Sequence, residues 1–204
     1  GGLMASGLLN VVGEHMNGLQ IAGIANITAS KLNGMQIALC NYATQARGLQ
    51  IGLVNYYKED MKGFQLGLVN ANPDTRVQMM VYGGNATPAN IGVRFKNQLF
   101  YTILGIGSMY QGLNDKFSAS ASYRAGLSFT LYKGLSISGD LGYQHIEAFD
   151  NKDEVIPKRL YALQARANLE YQFTRKFGIF ATGGYGLTRF YNKSSNYDKG
   201  AIIE

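Results

Sequence analysis

The chain has no tryptophan, one cysteine (Cys40), three prolines and two histidines in 204 residues, and only 16% of it is charged. Each scarcity excludes something. A lone cysteine cannot build an internal disulfide framework or a cysteine-based metal site. With only His15 and His145 available, no Ser-His-acid set, metal cluster or phosphate loop can be assembled, which argues against an enzyme and against any cofactor. A charge content well below the roughly 25% of soluble domains leaves little to solvate a large surface. No window approaches the roughly 18 consecutive apolar residues of a helical membrane span, because Gly, Gln, Ser or Asn interrupts every second or third position. Disorder is excluded by 46% apolar and 12% aromatic residues. The net charge of +6 comes without a basic run, so nucleic acid is not an expected partner.

What the chain does have is glycine, 26 residues of it, and a repeat. Gly48-Leu49-Gln50-Ile51-Gly52-Leu53-Val54-Asn55 is its clearest copy, with Gly63 to Asn70 following and Gly34 to Asn41 preceding. Two earlier copies, Gly2 to Asn10 and Gly18 to Asn26, carry one extra residue each, read as a bulge, and Val77 to Val81 is a degenerate sixth. Leu49, Ile51 and Leu53 alternate with Gln50, Gly52 and Val54, so each copy reads as one strand of about eight to ten residues. Turn formers separate the copies, as in Tyr57-Lys58-Glu59-Asp60 and Asn72-Pro73-Asp74-Thr75.

Beyond Asn90 the strands lengthen. From Phe117 to Tyr132 the odd positions are apolar or aromatic and the even ones small or polar, and Tyr161 to Phe173 repeats the pattern. Such dyads run to about twice the usual soluble strand. Ala119, Ala121, Ala165 and Ala167 on the apolar face suit lipid better than an interdigitated core, and aromatic residues sit near the strand ends. On these features the chain resembles bacterial outer-membrane β-barrel proteins, and its first third resembles a surface-repeat family of such proteins built on Gly-x-Gln-x-Gly-x-x-Asn units. The resemblance implies an all-β fold, a transmembrane antiparallel up-and-down barrel of about 12 to 14 strands. It also implies a bacterial outer-membrane location, lipid and possible outer-membrane protein or lipoprotein partners, and no catalytic residues. The chain departs from the pattern in ending at Ala201-Ile202-Ile203-Glu204 rather than on an aromatic residue.

On that reading residues 1–204 form one barrel domain, with short-repeat strands over 1–82 and longer hairpin strands over 90–204, and incomplete at both ends. Tight turns at Lys96-Asn97, Tyr132-Lys133-Gly134 and Thr174-Arg175-Lys176 share one side, and the longer loops 111–116, 150–157 and 192–199 the other. With the apolar register outside, Arg94, Arg124, Asp140, Arg166 and Glu170 face the lumen, as an ion-pair network that plugs it or as a constriction that selects solutes. Arg124 and Asp140 fall one diagonal apart. Gln20, Gln36, Gln50, Gln65 and Gln78 form an amide row, explained by a wet interior without invoking a site. The expected function is a non-enzymatic outer-membrane barrel, porin-like as a passive channel or the membrane-embedded subunit of a larger complex. The alternative is a secreted or surface β-solenoid or adhesin, in which the 15-residue period makes each copy one face of a coil.

Overall fold

A computed structural model describes residues 1–84, 87–108, 118–148, 159–174, 176–191 and 201–203. Among these the regular structure is entirely β, in fifteen strands. They fall into two units, Gly1–Arg76 with Phe95–Asn97, and Val77–Arg94 with Gln98–Glu204.

The first unit holds β1 (Gly2–Ser6), β2 (Leu9–Val12), β3 (His15–Ala22), β4 (Ala25–Ile37), β5 (Cys40–Ile51), β6 (Val54–Leu66) and β7 (Val69–Ala71). All of its pairings are parallel. The repeat copies lie in register, Gly2 against Gly18, Gly34, Gly48 and Gly63 in succession. A copy is therefore not one straight strand. It bends at a two-residue corner, Gly52-Leu53 in the clearest case, so that β5 arrives and β6 leaves on different faces of a coil. Tyr57 to Asp60, expected as a turn, lies within β6, where the register against β5 slips between Ala43 and Gln45. The Asn72 to Thr75 turn is present, with Thr75 N donating to Asn72 O at 3.1 Å. Five such coils make a β-solenoid, and this overturns the expected barrel. An up-and-down barrel needs antiparallel neighbours around a circumference, whereas these copies bond in parallel along a stack.

The second unit contains β8 (Arg76–Tyr82) from Val77 on, β9 (Ala89–Asn97) as far as Arg94, β10 (Phe100–Ser108), β11 (Ser118–Tyr132), β12 (Leu135–Ala148), β13 (Arg159–Gln172), β14 (Gly178–Phe190) and β15 (Ala201–Ile203). They form one sheet in sequence order from β8 to β15. The registered pairs from β10 onward are antiparallel, and a two-residue turn, Lys133-Gly134 with Gly134 at φ 80, joins β11 to β12. The long dyads thus form hairpins. The sheet is not closed: β8 and β14 face each other across a cavity of about 520 Å³ instead of a hydrogen-bonded ladder. The loops 111–116 and 150–157 lie outside the described residues, as does 192–199.

One glycine column sets the spacing of the solenoid. Gly18, Gly34, Gly48 and Gly63 all have φ between 127 and 146, a region that L side chains rarely adopt. A Cβ on Gly48 would stand 2.0 Å from the carbonyl oxygen of Gly34. The coils touch backbone to backbone there, and no side chain could move aside. Gly48→Ala is expected to lower stability by at least about 2 kcal/mol, the combined effect of positive φ and the clash. Thermal denaturation checks it, with Ala29→Gly, at an exposed connector position, as the tolerated control.

Candidate functional site

The interior of the solenoid is built from amides. Asn10, Asn26, Asn41, Asn55 and Asn70 are buried, as are Gln20, Gln36, Gln50 and Gln65. The Nδ2 of each of the first four Asn donates to the Oδ1 of the next coil, at 2.9, 3.0, 2.9 and 2.8 Å in order. The same nitrogens also donate to the corner carbonyls of Ile21, Ile37, Ile51 and Leu66. The Gln row runs the other way: Gln65 donates to Gln50, Gln50 to Gln36 and Gln36 to Gln20, at 2.8 to 2.9 Å. Two rows of amide dipoles thus oppose each other. The Gln row ends at Gln20, whose Nε2 is buried without a partner because Met4 occupies the matching place in the first coil.

Four of the five glutamines proposed as a row therefore form one. Gln78 does not join it: it lies on β8 in the antiparallel unit, where its Oε1 accepts from Arg94 Nε at 2.9 Å. The row lines no lumen, since its amides are in hydrogen-bond contact with one another and fill the coil. The asparagine ladder was missed. Its signal is that every one of the five copies ends in Asn.

The five charges expected to share an interior do so, on the inward face of the antiparallel sheet. Arg94 makes a two-pronged pair with Glu170, at 2.5 and 2.8 Å, and its guanidinium carbon lies 5.5 Å from the centre of the Tyr101 ring. Arg124 Nη1 donates to Asp140 at 3.3 Å, across the diagonal that the sequence indicates. Asp140 also accepts from Tyr101 Oη and Asn168 Nδ2. Arg166 lies directly opposite Asp140 in the register and donates to Gln164. Tyr101, Asn168 and Gln164 complete the network and were not anticipated; Tyr101 and Asn168 sit at inward positions among charges, where a buried carboxylate needs donors. The space these side chains enclose is about 20 Å³, room for about one water. The porin-like channel is overturned by the parallel stack of coils, and in the antiparallel unit ion pairs occupy the inward face. Gly184, in the glycine-rich stretch of β14, approaches the Ala165 carbonyl so closely that a Cβ would lie 2.5 Å from it.

Most polar groups of both interiors bond to one another, and among the described residues no group of three His, Cys, Asp or Glu side chains could hold a metal. His15 is exposed in the first unit, and His145 lies on the outward face beside Tyr191, with the rings 5.4 Å apart. No protein-family model matches the chain, and no curated protein and no solved structure matches it.

Two substitutions test these assignments. Met4→Gln places an acceptor opposite the orphaned Gln20 nitrogen and is expected to raise stability by about 1 kcal/mol, read from the denaturation midpoint. Glu170→Ala strands Arg94, which is 6% exposed, and is expected to lower stability by about 3 to 5 kcal/mol. The double change Arg94→Met with Glu170→Met should restore most of that loss, since it leaves neither charge alone.

Proposed function

We propose that this chain is a non-enzymatic surface β-solenoid of a bacterial outer membrane, held there by the outward face of its antiparallel unit. The parallel stack of in-register coils supports the solenoid part of the reading. The polarity of the antiparallel sheet supports the membrane part, and it is the observation that carries the proposal. Ser120, Arg124, Ser128, Ser138, Asp140, Gln144 and Gln164 are buried, whereas Leu127, Phe129, Leu131, Leu141, Leu163 and Leu169 are exposed. A sheet in water has the reverse arrangement. Leu141 is 71% exposed, and its neighbours in the ladder include Ala125 and Ala165, small residues that acyl chains cover without strain. Tyr143, Tyr161 and Tyr191 cluster near one end of this face, with ring centres 5.1 to 6.3 Å apart, while Phe129, Tyr132, Tyr171 and Phe173 are exposed near the other. Amphipathic aromatic rings favour membrane–water boundaries. The chain takes lipid as its partner, with other outer-membrane proteins or lipoproteins as further ones, and its polar networks serve structure rather than catalysis.

Flotation tests this reading. The purified full chain, mixed with phospholipid vesicles as detergent is removed, should rise with them in a density gradient. Leu141→Arg combined with Leu163→Arg should leave most of it behind, since each Arg against hydrocarbon costs roughly 2 to 4 kcal/mol. A chain that folds without detergent and stays at the bottom of the gradient would refute the membrane assignment.

A further inference from the structure

The solenoid changes polarity along the length of each coil. At the connector end its arrangement suits water: Met16, Leu32, Ala43 and Ala46 form a buried apolar cluster. The charged residues Glu14, Lys31, Arg47, Lys58, Glu59, Asp60 and Lys62 all fall in those connectors. At the corner end the arrangement is inverted. The amide ladders lie inside, and outward stand columns of apolar side chains in register. Leu19, Met35, Leu49 and Phe64 form one such column, and Ile21, Ile37, Ile51 and Leu66 another. At the corner itself Leu8, Ile24, Leu39, Leu53 and Leu68 are exposed by 37 to 63%. No charged residue occurs in any of the five corner segments, 2–12, 18–28, 34–43, 48–57 and 63–71.

We infer that the corner of the solenoid is a wedge that inserts into one leaflet of a lipid bilayer, with acyl chains as its occupant and the charged connectors in water. Two further observations support hydrocarbon over a protein partner. First, corner backbone groups are taken up inside the stack, as hydrocarbon requires. Cys40 N donates to Ile24 O, Val54 N to Leu39 O and Val69 N to Leu53 O at 2.8 to 2.9 Å, and the Asn ladder takes the carbonyls of Ile21, Ile37, Ile51 and Leu66. Second, the uncharged arms are four to five residues long, about 13 to 16 Å, or half of a hydrocarbon core of roughly 30 Å. A wedge of that depth enters one leaflet and stops where the charges begin. The inference rests on the membrane location proposed above but on different residues.

Cys40, exposed at the corner and the only cysteine of the chain, provides the probe. The full chain carrying an environment-sensitive dye on Cys40 is bound to phosphatidylcholine–phosphatidylglycerol vesicles. Quenching by spin labels on the acyl chains is compared with quenching by aqueous iodide. A second preparation, Cys40→Ser with Lys58→Cys, carries the dye at a connector. The Cys40 dye should be quenched by the acyl labels and shielded from iodide, and the Lys58→Cys dye should show the opposite. Leu53→Glu, at an outward position, should reduce acyl quenching of the Cys40 dye by on the order of tenfold while leaving the thermal midpoint unchanged. A chain that floats with vesicles while its Cys40 dye stays open to iodide would overturn the wedge and leave the membrane reading standing. A chain that does not float would overturn both.

Discussion

Everything in the first unit depends on one constraint, that a buried side-chain amide must find its partners. Asn41 shows why this enforces the stack. Its Nδ2 serves both the Ile51 carbonyl and Asn55, and its Oδ1 accepts from Asn26. The bonds join coils, so a single coil leaves its amides unmet, and each added coil satisfies the one before it. Leaving such a group unpaired costs about 1 to 3 kcal/mol, comparable to what one coil could gain from any other single contact. A slip of one residue between neighbours would break the Asn row, the Gln row and the glycine column together. Register is thus specified three times over, although parallel strands with similar sequences are otherwise prone to slip.

The antiparallel unit meets the same demand with charge in place of amide repetition. Arg94, Arg124, Asp140, Arg166 and Glu170 come from four strands, and each carboxylate is shared among several donors. Tyr101 joins the two pairs, donating to Asp140 while its ring lies beneath Arg94. An interior of this kind contributes specificity more than net stability, because desolvating both partners offsets most of their attraction. Ile103, Ile146, Leu160 and Ala162 are buried beside these polar groups, while Leu127, Phe129, Leu141, Leu163 and Leu169 are exposed on the other face.

The sequence made much of the second unit legible. Strict alternation placed Ser120 inside and Ala121 outside, and turn length placed Arg124 on the diagonal from Asp140. Hairpins preserve the two-residue period, so register can be counted across them. The first unit defeated the same method because its strands bend. Gln50 and Asn55 are five residues apart, and on a straight strand an odd separation puts them on opposite faces. Both are buried in one interior. Only a corner between them, at Gly52-Leu53, makes this possible. The same displacement explains why Leu53 and Val54, adjacent in sequence, are both exposed. The repeat itself was visible, but whether neighbouring copies pair in parallel or antiparallel fashion is a property of the connector. Lys58 to Asp60 have a composition that suits a hairpin turn equally well.

Taken together, the two units show what their low charge content serves. The antiparallel unit places five of its charges in the interior, and the solenoid concentrates its own in the connectors. In either case a stretch of outward surface remains without charge, with the exposed Arg159–Glu147 pair at one end of the antiparallel face. Scattered apolar residues on a protein surface are ordinary and require no explanation. Columns of them in register, backed by amides that would themselves be at home in water, are a different matter. In water, exchanging Gln50 with its outward neighbour Ile51 would bury the apolar group and hydrate the polar one. The repeat instead keeps Gln or Asn inward at these positions from coil to coil, with only Met4 departing. That arrangement keeps the amide bonds between coils, which the exchange would break.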